Sequence, residues 1–277
     1  TVIDMGGITI EQLAADKDLA LSKLEAPELL NSTMVKTDRP IRGARTLQRG
    51  TYRVSVEKET LPDLPTVAGQ TFTRESPKAG TVVATADGVE PVAAADLATV
   101  KAKHLESSSM LKADDPEIVE LVKRAKVQGL PSAEAARKLR EFVYGYIRKK
   151  DMSVGFATAS EVARTKTGDC TEHAALLAAM LRAAGVPSRC ASGLLYIDQF
   201  DDQRDVFGYH MWTQALVEQK DGTWAWTNLD AVLPGEPYDA AHVLLAVTAL
   251  GDGEMQNFLV NTAPLIGRLK IGVVETK

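Results

Sequence analysis

Three residues of this 277-residue chain have the types needed for nucleophilic catalysis: Cys170, His210 and Asp230. A thiolate can attack a carbonyl carbon, an imidazole can take and return the thiol proton, and a carboxylate can orient the imidazole. Such chemistry acts on amide bonds through a thioacyl intermediate. The three residues lie in the segments Gly168-Asp-Cys-Thr-Glu-His173, Gly208-Tyr-His-Met-Trp212 and Thr227-Asn-Leu-Asp230.

The cysteine is expected at the start of a helix. Asp169 can serve as the N-cap, and Glu172, three residues later, completes a capping box, which puts Cys170 in the first turn. The partial positive charge of a helix N-terminus stabilises a thiolate, and its free N–H groups can bind an oxyanion. The alternative is a small buried cysteine in an Ala-rich helix.

His210 and Asp230 are predicted on the two arms of a hairpin, and the loop length decides whether they share a face. A two-residue loop would put them on opposite faces. A three-residue loop over 220–222, with Gly222 left-handed, sets Trp212 opposite Asp230. His210 and Asp230 then become diagonal neighbours, roughly 7–8 Å apart at the backbone. We predict the three-residue loop, which puts all three Trp on that face. The alternatives are a core histidine and a turn-capping aspartate.

The elements around these segments predict an α+β fold. Residues 1–110 are interpreted as a β-rich N-terminal module of unknown role, and residues 111–277 as the catalytic domain. Alternating polarity predicts strands near 51–57, 70–74 and 81–85, and later at 189–198, 207–219 and 223–230. Helical spacing, Pro starts and Gly stops predict helices over 10–24, 116–129, 133–150, 160–165 and 170–185.

Composition excludes several functional classes. The net charge is −5, so the chain has no excess of Lys and Arg for nucleic-acid binding. Two Cys and four scattered His do not form a metal-binding pattern, and we predict no metal and no cofactor. No run of 18 apolar residues predicts a membrane span. The first residue is Thr1, from which we expect a missing precursor segment.

Three ordered blocks resemble the bacterial transglutaminase-like superfamily: residues 167–189, 207–214 and 226–230. The resemblance implies a papain-like core, with a Cys-bearing helix packed on an antiparallel sheet. It implies that Cys170 is the nucleophile, His210 the general base and acid, and Asp230 the orienting carboxylate. A protein or peptide substrate, hydrolysis or acyl transfer, and an extracytoplasmic location are the accompanying expectations; the oligomeric state stays open.

The chain departs from the family pattern in its tryptophans. Animal transglutaminases use an upstream Trp to hold the oxyanion, whereas every Trp here follows Cys170. The backbone N–H of Cys170 is therefore the oxyanion donor that we expect. Trp212 and Tyr209, beside His210, are predicted to contact substrate. The last block also continues Asp230-Ala rather than Asp-Pro, which changes the exit turn.

The remaining Cys and His are interpreted as structural. Cys190 is predicted to be inert in the core, His104 to lie in a solvated linker, and His173 and His242 to be buried. The alternative function is a non-catalytic module that keeps an idle triad, with the N-terminal part binding a protein or cell-wall partner.

Overall fold

The computed structural model describes residues 33–149, 156–235, 238–254 and 265–277, and the backbone of two short strands near the start. These strands, β1 (Val2–Asp4) and β2 (Thr9–Glu11), pair antiparallel. The helix predicted over 10–24 lies outside the described residues, apart from its first two positions, which belong to β2.

The central sheet contains the strands predicted for the second half of the chain. Its order is β11-β8-β9-β10-β7, with β3 added against β9, and every pair is antiparallel. The strands are β3 (Val35–Lys36), β7 (Glu90–Val92), β8 (Ser188–Phe200), β9 (Gln203–Glu218), β10 (Trp224–Leu229) and β11 (His242–Thr248).

The four helices that confirm the predictions lie on one side of this sheet, whereas a fifth packs against Leu216 and Trp226 on the other side. The last helix, α5, packs its Ala-rich surface on β9, where Met211 and Ala215 join one apolar core. The sequence did not predict α1, because its stretch was assigned to the β-rich module. The helices are α1 (Leu97–Leu105), α2 (Pro116–Ala125), α3 (Ser132–Tyr146), α4 (Ala159–Thr165) and α5 (Cys170–Ala183).

A second sheet of four antiparallel strands has the order β12-β4-β6-β5. Its apolar face meets the central sheet, where the rings of Tyr52 and Phe207 pack edge to face with centroids 5.6 Å apart. Tyr52 also donates a hydrogen bond to the Ala240 carbonyl at 2.7 Å. The strands are β4 (Arg49–Val56), β5 (Gln70–Ser76), β6 (Ala79–Thr85) and β12 (Leu269–Thr276).

The fold is α+β with an antiparallel sheet and a helix that begins at Cys170, as the sequence predicts. The two sheets exchange strands across the predicted division at residue 110. β12 completes the sheet of the N-terminal part, whereas β3 and β7 extend the central sheet. The boundary itself stays a prediction. None of the described helices is long and apolar enough to cross a bilayer.

Candidate active site

The start of α5 has the capping box that the sequence predicts. The Asp169 carboxylate accepts a hydrogen bond from the Thr171 N–H at 3.0 Å, and the Glu172 carboxylate accepts one from the Asp169 N–H at 3.0 Å. Cys170 is the first residue of the helix and is half-buried. Its N–H therefore has no acceptor inside the helix and is available to a ligand.

Glu172 also connects α5 to the segment before α4. Its buried carboxylate accepts a hydrogen bond from the Ala157 N–H at 2.8 Å. Burial raises the pKa of Glu172 to about 7, because charge is costly away from water. The carboxylate that completes the capping box therefore also fixes Ala157 against the first turn of α5.

The hairpin of β9 and β10 has the predicted three-residue loop. The Gln219 N–H donates to the Thr223 carbonyl at 2.8 Å, and Gly222 has a φ of 82°. Leu229 pairs with Thr213, so Asp230 follows at the position opposite Trp212. The register confirms that His210 and Asp230 share one face of the sheet.

This register brings the imidazole and the carboxylate together. His210 Nε2 lies 2.8 Å from Asp230 Oδ2, and Asp230 is fully buried. Burial alone would lower the pKa of His210, but the Asp230 charge and the Cys170 thiol outweigh it and raise that pKa to about 9. Burial likewise opposes ionisation of Asp230, but two imidazoles hold its pKa well below the usual range.

The Cys170 thiol interacts with the same imidazole. Because Nε2 of His210 is engaged by Asp230, Nδ1 is the ring nitrogen that remains for the sulfur. Two described strands pair with one edge of β9, and neither reaches His210. β10 ends at Leu229, opposite Thr213, and β3 pairs with residues 206 and 207 only. No described strand therefore covers the edge of β9 beside His210. The imidazole of His210 is the group that the Cys170 thiol and the Asp230 carboxylate both influence.

Arg140 on α3 fixes the turn that follows Asp230. Its guanidinium donates to the Asp230 carbonyl at 2.6 Å, to the Gly235 carbonyl at 3.0 Å and to the Leu233 carbonyl. Arg140 was not among the residues predicted for the site. A signal existed, because Arg140 occupies a position between Ala136 and Val143 on the apolar stripe of its helix, where a charge needs partners.

A second histidine contacts Asp230. His242 Nε2 lies 3.2 Å from Asp230 Oδ2, and the residue is fully buried. Burial confirms the prediction for His242, but the contact was not foreseen because β11 was not predicted. Within the described part of the chain, a metal ion could be held by one group of three residues: His210, Asp230 and His242. Their ligand atoms all lie within 4.8 Å of one another. Hydrogen bonds between them account for the cluster without one.

Trp212 and Tyr209 project to opposite faces. The Trp212 ring stacks on His210 with centroids 6.2 Å apart, and its indole N–H donates to Asn228 Oδ1 at 2.9 Å. Tyr209 donates its hydroxyl to the Leu265 carbonyl at 2.7 Å on the other face. Trp212 is therefore beside the imidazole but buried, whereas Tyr209 is directed away from it. Substrate contact by either residue stays a prediction.

The other sulfur and histidine side chains are packed into the fold. His173 Nδ1 lies 2.5 Å from the Asp169 carbonyl, and Cys190 is fully buried, which raises the pKa of its thiol to about 12. The prediction of a solvated linker for His104 is wrong. This residue lies on α1 with its ring 4.7 Å from that of Trp226, and burial lowers its pKa to about 4.

The segment that contains Cys170, His210 and Asp230 is similar to a known family. Residues 120–231 match the family described as the transglutaminase-like superfamily. This segment is a transglutaminase-like domain. It runs from α2 to just after the hairpin and contains Cys170, His210 and Asp230, so the blocks that carried the resemblance lie inside the match. A search of curated proteins finds no match.

The chain is also similar to solved structures at low identity. One is a candidate cysteine protease from Cytophaga hutchinsonii, with 13% identity, a TM-score of 0.47 and coverage of 84% of this chain and 88% of that chain. Another is the periplasmic domain of TgpA from Pseudomonas aeruginosa bound to ethylmercury, with 13% identity, a TM-score of 0.43 and coverage of 67% and 74%. The family assignment rests on the matched segment.

Proposed function

We propose that the protein is a cysteine-dependent enzyme that acts on amide bonds of a protein or peptide. One observation carries the proposal: the imidazole of His210 interacts with both the Cys170 thiol and the buried carboxylate of Asp230. A nucleophile, a base and an orienting acceptor are thereby joined in one chain of contacts. No cofactor is needed for this chemistry.

In the first half of the reaction, Cys170 Sγ attacks the carbonyl carbon while the thiol proton passes to His210 Nδ1. The carbonyl oxygen becomes an oxyanion, which the Cys170 N–H and the positive end of α5 stabilise. The tetrahedral intermediate collapses when His210 protonates the leaving amine. The C–N bond breaks, and a thioester to Cys170 remains.

In the second half, His210 removes a proton from the acceptor that attacks the thioester. Water gives a carboxylic acid, and an amine gives a new amide; in both cases the proton returns to the Cys170 sulfur. Asp230 keeps a proton on Nε2 of His210 throughout, so that Nδ1 is the nitrogen that takes up and returns the transferred proton. We favour hydrolysis, and acyl transfer is the other outcome of the same intermediate.

Alkylation of the two cysteines tests the proposal. Iodoacetamide at pH 7 should modify Cys170 faster than it modifies a model thiol, because the neighbouring imidazole accepts the thiol proton. Cys190 is the internal control, since it is fully buried and should react after unfolding only. Mass spectrometry of the two peptides gives both rates. A Cys170 rate no higher than that of the model thiol would overturn the proposal.

Reaction products then separate the two acceptors. A panel of peptides and amine donors, read by mass, should show hydrolysis that is absent in a Cys170→Ala variant. Incorporation of the amine would assign acyl transfer instead. A Cys170→Ala protein with full biological activity would show that the triad is idle and that the protein is a binding module.

We also propose an extracytoplasmic location. The arrangement of the two thiols is compatible with an oxidising compartment, because both are free and Cys190 is buried away from solvent. A thiol enzyme in such a compartment must avoid a disulfide to its own chain. Fractionation of cells, with the protein followed by antibody, tests the location; recovery in the cytoplasm alone would overturn it.

A further inference from the structure

We propose that His242 is a fourth member of the candidate site, a positively charged positioning residue that holds the same carboxylate oxygen of Asp230 that His210 contacts. The inference rests on the proposed function for its catalytic meaning. It rests on geometry alone for the charge. His242 begins β11, so it reaches Asp230 from a different strand than His210 does.

Each ring nitrogen of His242 faces oxygen acceptors. Nε2 lies 3.2 Å from Asp230 Oδ2, and Nδ1 lies 3.0 Å from the Asp239 carbonyl and 3.1 Å from Asp239 Oδ1. A neutral imidazole has one N–H, so one nitrogen would point its lone pair at an oxygen. Two N–H donors satisfy both contacts, and His242 is then an imidazolium.

The carboxylate of Asp230 has acceptors for all the donors around it. Oδ1 accepts from the Val232 N–H at 2.7 Å, and Oδ2 accepts from His210 and His242. An ionised carboxylate accepts all three hydrogen bonds, whereas a protonated one would point a hydrogen at a donor. If Asp230 is ionised, its Oδ2 can only accept hydrogen bonds. Nε2 of His210 and Nε2 of His242 must therefore both carry a proton.

The charges around His242 support the imidazolium. Asp230 and Asp239 face its two nitrogens, and Arg45 pairs with the far side of Asp239 at 3.2 Å. The titratable rings that face it are the phenol of Tyr238, at 4.2 Å between centroids, and the imidazole of His210, at 5.9 Å. The phenol of Tyr52 interacts with Asp239 instead. Burial would lower the pKa of His242, but the two carboxylates outweigh it and raise that pKa.

The consequence for catalysis lies in the balance of charge around Asp230. Asp230 alone would hold a proton on His210 strongly, since both are buried. A second positive charge 5.9 Å away opposes this effect. His242 therefore fixes the carboxylate in place and keeps His210 able to release its proton to the leaving amine.

The charge is tested on the unmodified protein by ¹⁵N NMR of labelled histidine. The chain has four His, which single His→Gln variants assign. Near pH 7, both nitrogens of His242 should show the shifts of protonated imidazolium, with slow solvent exchange. A neutral tautomer of His242 in the wild-type protein would overturn the proposal.

The effect on His210 is tested with His242→Gln, which keeps an N–H donor near Asp230 but removes the charge. The pH at which His210 loses its proton, read from the same spectra, should rise by about 1 to 2 units. The alkaline change in the Cys170 alkylation rate should move with it, and activity near pH 7 should fall. His104→Gln is the matched control, because no carboxylate among the described residues pairs with His104, and its profile should follow the wild type.

The outcomes separate the two proposals. Titration of His210 that is identical in His242→Gln and the wild type would overturn the role of His242. Slow Cys170 alkylation in a wild-type protein whose His242 is an imidazolium would overturn the proposed function, whereas the charged support of Asp230 would stand.

Discussion

The imidazole of His210 is the residue on which the candidate site depends. It is 8% exposed, it lies 2.8 Å from the Asp230 carboxylate, and the Cys170 thiol contributes to raising its pKa. Its protonation therefore depends on its neighbours more than on solvent. Two predictions follow at the scale of single residues, one for stability and one for activity.

The first prediction concerns the dependence of folding stability on pH. Because folding raises the pKa of His210 from about 6.5 to about 9, the folded state binds this proton more tightly than the unfolded chain does. The resulting stability is fully present below pH 6.5 and is lost as the pH rises through about 9. We expect the melting temperature of the wild type to fall over this range more than that of His210→Gln. Calorimetry at pH 6 to 10 measures both, and parallel curves would contradict the prediction.

The second prediction concerns the effect of the Asp230 carboxylate on activity. Asp230→Asn keeps the acceptor for the Val232 N–H but can turn an N–H₂ group toward both imidazoles, which forces His210 into the wrong tautomer. We expect kcat/KM to fall by about a hundredfold or more. Asp221→Asn is the control, since Asp221 lies exposed in the turn of the same hairpin. Equal loss in both variants would show general damage to the hairpin.

At the scale of elements, β8 and β11 approach each other closely beside the site. Gly193 pairs with His210 on one side and with Leu244 on the other. A Cβ at Gly193 would lie 2.0 Å from the Val243 carbonyl oxygen, so the two strands would have to separate. Because Gly193 has no side chain, β11 can pack close to β8 and bring His242 to Asp230.

Gly193→Ala should therefore lower both stability and activity. We expect a loss of about 1–3 kcal/mol in the free energy of unfolding, from the forced strand shift. Gly145→Ala on α3 is the matched control, because nothing lies within 4 Å of its added Cβ. Alanine should be neutral or stabilising there, as it favours a helix. Denaturant unfolding measures both, and equal effects would refute the explanation.

At the scale of the whole molecule, the two sheets are joined by strands that cross the predicted division. β12 pairs with β4 along most of its length, and β7 pairs with β10. The contact between Tyr52 and Ala240 adds a direct link from the second sheet to the segment before β11. The N-terminal part thus supports the elements that hold Asp230 and His242.

We expect the described parts of the full chain to unfold in one transition. A fragment of residues 111–277 should not fold, because β12 would lose β4 and β10 would lose β7. Circular dichroism and calorimetry of the full chain and the fragment measure this. A fragment with a cooperative melt and a reactive Cys170 would instead establish the predicted division as two independent domains.

Local features of the sequence determined the helix start and the hairpin. The Asp169–Glu172 capping box and the left-handed Gly222 depend on residues within a few positions, so the first turn of α5 and the register of His210 and Asp230 could be predicted. The resemblance of three ordered blocks then indicated the roles of the triad.

Only the tertiary structure decided what surrounds the triad. Arg140 reaches Asp230 from a helix 90 residues earlier, and His242 reaches it from a strand that the sequence did not reveal. The position of His104 against Trp226 likewise depends on how α1 packs. Such contacts join residues far apart in the chain, and their energies depend on burial and packing that no local pattern encodes.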